Sequence, residues 1–161
     1  MKGGILLIAS SLFAICPLSG AGKINLWLDT DIGSDIDDAL VVSLALSRPE
    51  FNIVGMSVVD EPNESRLMIL QWLLKQFGRD DIPLYRGWGK PLLWGGGARR
   101  GDASLTYPRE FSGEYKGGVH NNAPQGILEA IRKYDGDIVL LSVGAMTNVA
   151  AAYLSDPETF K

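Results

Sequence analysis

The stretch Lys23–Leu40, KINLWLDTDIGSDIDDAL, decides the fold class. Its opening residues 23–28 have the apolar pattern of a strand, and an apolar run of helical length follows over 37–46. Gly33 lets the backbone turn sharply between the two. Five aspartates surround that turn: Asp29, Asp31, Asp35, Asp37 and Asp38. The stretch predicts a strand, an acidic turn and a helix, and ligands bind in α/β sheets at such strand ends.

The same alternation of strand and helix patterns continues along the chain. Further strands are predicted at residues 52–59, 82–85 and 137–143, and helices at residues 63–77, 124–134 and from 148 to 154. Residues 87–118 are rich in Gly, Arg, Trp and Tyr without a clear period, which is typical of a long functional loop. We expect an α/β fold with an open, mainly parallel sheet of four strands flanked by helices. The stop directly after a helix favours a truncated form of that fold.

Composition limits the function classes that the chain can serve. With 161 residues and 46% apolar content, the chain is long enough for one domain with a core. The net charge is −4 and no basic stripe is visible, so we expect no nucleic-acid partner.

The first 22 residues have the pattern of a secretory signal peptide. A basic start precedes an apolar run over Ile5–Leu18 and small residues at 19–22. The run is short for a membrane span of about 20 residues, so a retained anchor is the weaker alternative. Cys16 is the only cysteine, and the mature chain would have none. We expect export to the periplasm or the extracellular space, with no membrane contact after cleavage.

The aspartate turn predicts a metal site. Carboxylates this close repel one another unless a cation neutralises them, and oxygen-only sites suit Ca²⁺ or Mg²⁺. Two other strand ends should reach the same rim, at Asp60 and at Val143. Simpler interpretations exist for single residues: Asp35 or Asp37 as a helix cap, Asp60 as a solvated turn residue, and Asn148 as a cap with Thr147.

Four motifs together resemble the inosine-uridine preferring nucleoside hydrolase family. Asp-x-Asp-x-Gly followed by Asp-Asp-Ala-Leu is similar to its opening motif. Ile82–Gly87 with Lys90–Leu92 is similar to its VPI..G..KPL stretch, and Tyr107–Phe111 to part of its active-site loop. Val143–Ala150 resembles its GPLTNLA signature. The resemblance implies a Rossmann-like nucleoside hydrolase fold, with residues 23–161 as the N-terminal portion of that domain.

The resemblance also implies roles for individual residues. Asp31 would bind Ca²⁺ and take the proton from the attacking water, and Asp38 would be a bidentate Ca²⁺ ligand. The backbone carbonyl of Val143 would be another ligand. Asp37 would accept a hydrogen bond from a ribose hydroxyl, and Asp60 stands where the family has an asparagine that contacts the sugar. Asp29 would be a structural member of the loop.

The sequence departs from the family pattern in three places. Asp35-Ile36 is inserted before the paired aspartates, which makes Asp35 a further candidate metal ligand. Asp60 adds negative charge near the sugar. A His-Gly-Glu-Ser-Gly-like stretch is missing, and Arg99–Asp102 stands near its place. In the family, leaving-group activation and a last aspartate ligand come from the C-terminal half.

The expected function is hydrolysis of the N-glycosidic bond of small-molecule ribonucleosides by a Ca²⁺-activated water. Residues 1–161 alone are expected to be inactive, and a full-length form is a candidate homo-oligomer. One rival is a haloacid-dehalogenase-like Mg²⁺ phosphatase with Asp29 as its nucleophile. The other is a non-catalytic nucleoside- or sugar-binding homologue.

A lone histidine and four tryptophans are the remaining candidates. His120 is expected as a turn or cap residue, with base-side catalysis as the alternative. Trp88 and Trp94 could stack on a base. Trp27 and Trp72 fit strand and helix patterns and are expected in the core.

Overall fold

A computed structural model of the chain describes residues 22–61, 63–90, 92 and 114–161. Apart from Gly22, the expected signal peptide lies outside the described residues, as do Trp94, Arg99–Asp102 and Tyr107–Phe111.

The described part of the chain forms one parallel sheet with helices on both faces. Its strands are β1 (Ile24–Thr30), β2 (Phe51–Val58), β3 (Leu84–Arg86), β4 (Val119–Asn121) and β5 (Val139–Ser142). Its helices are α1 (Asp37–Leu46), α2 (Asn63–Gln76), α3 (Ala123–Lys133) and α4 (Thr147–Ser155), followed by a 3₁₀ turn at Pro157–Phe160. The predicted α/β class is confirmed.

Alternation along β1 separates two cores, because successive side chains of a strand point to opposite faces. Leu26 and Leu28 pack with α1 and α2 on one face. Trp27 packs with α3 and α4 on the other, where it is 1% exposed, as expected of a core residue. Trp72 packs against the first core as a partly buried residue.

The strand order β4-β3-β2-β1-β5 positions the site. Strands β1 to β4 are added in one direction, and β5 then pairs on the other side of β1. The connections therefore diverge between β1 and β5, and ligands bind in open α/β sheets at the carboxyl ends of strands around such a switch point. The aspartate turn follows β1 at this position.

Helix ends follow local chemistry. Gly78 lies two residues after the end of α2 and has φ 65°, and the N–H of Arg79 donates to the carbonyl of Leu74 at 2.8 Å, so a glycine in the left-handed conformation ends this helix. Asn122 caps α3 by accepting from the N–H of Gln125 at 3.3 Å. None of the helices in the described ranges has the length and apolar character needed to cross a membrane.

Strand β4 was missing from the four strands expected. It has three exposed residues directly after Gly117-Gly118, so it carries no apolar pattern. His120 lies within it, and the turn or cap assignment for His120 is therefore wrong. The imidazole stacks on Tyr85 at 4.9 Å between ring centroids, and Tyr85 contacts Trp27 at 4.8 Å.

Candidate metal and substrate site

Asp29 is the buried anchor of the site. It lies inside β1 rather than in the loop, and it is 1% exposed. Its carboxylate accepts hydrogen bonds from Ser57 Oγ at 2.5 Å, Asn148 Nδ2 at 2.8 Å and Ser142 Oγ at 3.2 Å. Burial raises the pKa of Asp29, and the three hydrogen bonds work against that rise. Asp29 therefore ties β1 to β2, β5 and α4, which agrees with the structural role implied for it.

Asn148 organises the site from α4. It is the second residue of the helix, the N-cap position is Met146, and the expected cap role of Asn148 is wrong. The side chain is fully buried and donates to Asp29 and to the carbonyl of Val58 at 2.9 Å. Its Oδ1 accepts from the N–H of Trp88 at 2.9 Å. A cap needs only one acceptor near the helix start, whereas this amide joins three segments.

Asp38 lies in the first turn of α1 and is 4% exposed. Its carboxylate accepts a hydrogen bond from the Thr30 hydroxyl at the end of β1. Burial, followed by the neighbouring charges of Asp31, Asp37 and Asp35, raises the pKa of Asp38 to about 6, although the Thr30 bond opposes the rise. A buried carboxylate among like charges is stabilised by a bound cation.

The structure brings Asp35, Asp37 and Asp38 together. One carboxylate oxygen from each lies within 4.8 Å of the other two, and Asp35 and Asp37 are exposed. A side-chain hydrogen bond between them raises the pKa of Asp35 and lowers the pKa of Asp37, so Asp35 is the first of the two to take up a proton as the pH falls. Like-charged carboxylates this close need a proton or a metal ion between them. The helix-cap interpretation fails for Asp35, because the N-cap of α1 is Ile36.

Asp31 lies directly after β1, beside the end of β5. A Cβ built on Gly144 would lie 2.8 Å from both the backbone N and Oδ1 of Asp31, so the absence of a side chain there makes room for the Asp31 carboxylate. Val143, next to Gly144, is held to β1 by its N–H, which donates to the Asp29 carbonyl at 2.9 Å. The strand ends that carry Asp31 and Val143 thus meet, while Asp31 is outside the close triplet of Asp35, Asp37 and Asp38.

Asp60 follows β2 and has a positive φ of 66°, a strained conformation for a residue with a side chain. Its N–H donates to the carbonyl of Trp88 at 2.9 Å. Its side chain is 31% exposed and lies 3.9 Å from the guanidinium of Arg66. The solvated-turn interpretation is incomplete, because Asp60 is held on both its backbone and its carboxylate.

Sequence reasoning missed two residues that shape this site. Asn148 was assigned to a cap because asparagine near a helix start usually serves there. Arg66 received no role, although it stands on the inward face of α2 beside Leu67 and Leu70. A single arginine among apolar residues at helical spacing was the available signal, because buried arginines need partners.

The donor set fits a hard divalent cation. The carboxylates offer only oxygen, which suits Ca²⁺ or Mg²⁺. The salt bridges between described residues involve none of the five turn aspartates. Because no described cationic side chain forms an ion pair with these carboxylates, protons or a metal ion are left to balance much of their negative charge.

Comparison with known proteins identifies the family to which the chain is related. Residues 26–161 match the sequence profile described as inosine-uridine preferring nucleoside hydrolase. A probable uridine nucleosidase 2 of Arabidopsis thaliana is 30% identical over 142 residues, covering 83% of this chain and 43% of that protein. The non-specific ribonucleoside hydrolase RihC of Shigella flexneri is 29% identical over 148 residues, covering 84% and 45%.

A solved structure agrees with the sequence comparisons. The plant nucleoside hydrolase PpNRh1 matches with a TM-score of 0.68 at 27% identity, over 85% of this chain and 44% of that one. The chain thus spans less than half the length of these relatives. The profile match, the relatives and the shared fold agree, and the chain belongs to the inosine-uridine preferring nucleoside hydrolase family.

Proposed function

We propose that this protein hydrolyses the N-glycosidic bond of ribonucleosides with a Ca²⁺-activated water, and that residues 23–161 form the metal and sugar side of its active site. The observation that carries the proposal is the carboxylate rim at the β1/β5 switch point. Asp35, Asp37 and Asp38 converge there, and Asp31 lies at the adjoining strand end. Family membership supports nucleoside hydrolysis as the reaction.

Asp31, Asp38 and the carbonyl of Val143 would hold the calcium ion, with Asp35 as a further ligand. Bound there, calcium supplies Lewis-acid chemistry that makes a water easier to deprotonate. Asp31 accepts that proton as general base, because its carboxylate lies at the rim with room left by Gly144. Asp38 contributes a buried carboxylate that gains from an adjacent cation.

Asp37 and Asp60 would bind the sugar. The Asp37 side chain is exposed and its pKa is lowered, so it remains an ionised acceptor for a ribose hydroxyl. Asp60 follows the neighbouring strand β2, so it lies at the same edge of the sheet, and its side chain is 31% exposed. Holding the sugar in this way supplies positioning for a reaction that passes through an oxocarbenium-like transition state.

The phosphatase alternative asks Asp29 to attack phosphorus as a nucleophile. Asp29 is 1% exposed, and both of its carboxylate oxygens accept hydrogen bonds from neighbouring side chains. A carboxylate enclosed in this way has no free approach to a phosphate. Among the residues that the structure describes, no contact favours the non-catalytic binding alternative over the hydrolase, and an activity assay separates the two.

We further propose that residues 1–22 direct export and are removed, leaving a periplasmic or extracellular protein, and that a full-length form assembles as a homo-oligomer. N-terminal sequencing of the secreted protein tests the first point. A mature N-terminus near Lys23 supports it, and an intact Met1 in the cell interior contradicts it.

The assay measures the release of ribose from uridine and inosine. It uses the protein expressed from the longest reading frame that contains these residues. We expect turnover that stops in EGTA and returns with added calcium. Asp31→Ala should lower kcat by about 10²-fold or more, since general-base catalysis is worth that much. Asp137→Ala, which changes an exposed aspartate just before β5, should leave turnover intact.

Each alternative gives a different result. Normal turnover by Asp31→Ala, or in EGTA, contradicts the proposal. Ribose binding without hydrolysis by the wild-type protein would support the non-catalytic homologue. Phosphate release from an aryl phosphate that Asp29→Asn abolishes would support the phosphatase. Residues 1–161 alone are expected to bind calcium without turnover.

A further inference from the structure

Arg66 is a fully buried arginine, with 0% of its side chain exposed. It lies in the first turns of α2, beneath the turn that carries the aspartates. A buried guanidinium is costly unless its donors are satisfied. The partners of Arg66 therefore show what the protein gains by keeping it there.

On one side, Arg66 holds the turn between β1 and α1. Its Nη1 donates to the carbonyl of Asp31, to the carbonyl of Ile32 at 2.9 Å and to Ser34 Oγ at 3.1 Å. Two of these acceptors are the backbone carbonyls of Asp31 and Ile32, so the bonds fix the path of the chain directly after the Asp31 side chain.

On the other side, Arg66 holds the turn after β2. Its Nε donates to the carbonyl of Asp60 at 3.2 Å, and its Nη2 donates to the carbonyl of Glu61 at 3.2 Å. The Asp60 carboxylate lies 3.9 Å from Nη2 and faces the positive charge. The same guanidinium thus holds the Asp60 backbone in its positive-φ conformation through the carbonyl, and it lies close enough to offset the charge of the Asp60 carboxylate.

We propose that Arg66 is a positioning residue of the active site: its guanidinium joins the β1–α1 turn to the β2–α2 turn and thereby fixes Asp31 and Asp60 relative to each other. This inference rests on the proposed function, because it assigns Asp31 to the metal and Asp60 to the sugar. Only a planar, forked cation can reach carbonyls of both turns at once. Lysine has the charge but concentrates its donors at one point.

A purely structural role for Arg66 is the competing explanation. Under it, replacing Arg66 lowers stability, and any loss of metal binding follows from unfolding. Under our proposal, Asp31 moves away from the metal even in folded protein. Leu70→Ala is the matched control, because Leu70 is fully buried in the same helix and its truncation costs stability without touching either turn.

The experiment uses Tb³⁺ as a luminescent substitute for calcium, with calcium affinity measured by competition and stability by urea unfolding. Luminescence lifetimes in H₂O and D₂O count the waters on the bound ion. We expect Arg66→Lys to weaken calcium binding about 10- to 100-fold, as loss of groups that orient ligands does. The bound Tb³⁺ should gain about one water as Asp31 leaves. Leu70→Ala should change neither property.

Five outcomes decide between the two explanations. Weaker binding and an added water in Arg66→Lys, but not in Leu70→Ala, support the proposal. Stability loss alone in both variants overturns it. If Arg66→Lys does not fold, the exposed Ser34→Ala removes one guanidinium partner, and weaker calcium binding supports the proposal whereas unchanged binding overturns it. No binding of Tb³⁺ or calcium by the wild-type protein overturns the proposed function, and this inference with it.

Discussion

Asn148 in α4 donates a hydrogen bond from Nδ2 to Oδ1 of Asp29 in β1, at 2.8 Å and fully buried. The two residues are 119 positions apart in sequence. The bond joins the first strand of the sheet to the helix that follows the last one. The bond helps to position the site, because Asp31 directly follows β1 and Val143 lies in the connection between β5 and α4.

Asn148→Ala should destabilise the protein by about 2–3 kcal/mol, the usual cost of leaving buried polar groups without partners. The substitution deprives Asp29 of a donor and leaves the Val58 carbonyl and the Trp88 N–H unpaired. Urea unfolding measures the change. Asn52→Ala is the control, since Asn52 bonds to Asn25 near the opposite end of the sheet. Equal losses in the two variants would contradict a special role for Asn148.

The stability of the metal-free protein should fall as pH rises from 4 to 7, in part because of Asp38. Its pKa is about 6 in the folded state, above the ordinary value of 3.8, so folding favours the protonated form. This contribution to stability is present below pH 3.8 and is lost as pH rises through about 6.

Asp38→Asn should therefore flatten the pH dependence, which urea unfolding in EGTA at several pH values measures. Asp37→Asn is the control, and its effect on the pH dependence of stability should have the opposite sign. The pKa of Asp37 is lowered, so its contribution is lost as pH falls. An unchanged slope in Asp38→Asn would show that burial does not hold its proton.

Calcium affinity should depend on pH through the same carboxyl group. A metal ligand must be deprotonated, so below about pH 6 calcium competes with the proton on Asp38. We expect the affinity to fall by up to about tenfold per pH unit below that value and to level off above it. Isothermal titration at pH 5, 6 and 7 checks this, and equal affinities at all three would contradict it.

Gly144→Ala should impair the site more than its small size suggests. The added methyl group would lie 2.8 Å from the backbone N and Oδ1 of Asp31, and 2.9 Å from Val59. A backbone atom cannot move aside cheaply, so we expect a cost of about 1–3 kcal/mol together with weaker calcium binding. Urea unfolding and calcium titration test this against Ala145→Ser, a change at an exposed neighbour. Wild-type calcium affinity in Gly144→Ala would show that Asp31 is not a ligand.

The sequence was sufficient for the fold class because its strands carry strong local patterns. Residues 23–28 and 137–143 read as strands, and β1 and β5 lie there. Strand β4 was missed because its three exposed residues gain their hydrogen bonds from β3, and such pairing leaves no apolar signal. For the same reason His120 was wrongly predicted as a turn or cap residue, whereas it lies in β4 and stacks on Tyr85 of the neighbouring strand.

The site was only partly predictable, for a similar reason. The clustered aspartates around Gly33 are visible in the sequence, and the structure places the carboxylates of Asp35, Asp37 and Asp38 together. The partners of Asp29 and Asp60 come from distant segments, through Asn148 and Arg66. The sequence around Asn148 does not distinguish it from a helix cap, and the sequence around Arg66 does not distinguish it from an ordinary helical arginine.

The most direct test of the account is a calcium titration of the purified protein by calorimetry. We predict that about one calcium ion binds per chain at neutral pH, as expected for a single carboxylate-rich site. Asp31→Ala and Asp38→Ala should each weaken the binding at least as much as Arg66→Lys does, and Asp137→Ala should retain it. No calcium binding by the wild-type protein, or undiminished binding by Asp38→Ala, would contradict the assignment of this rim as the metal site.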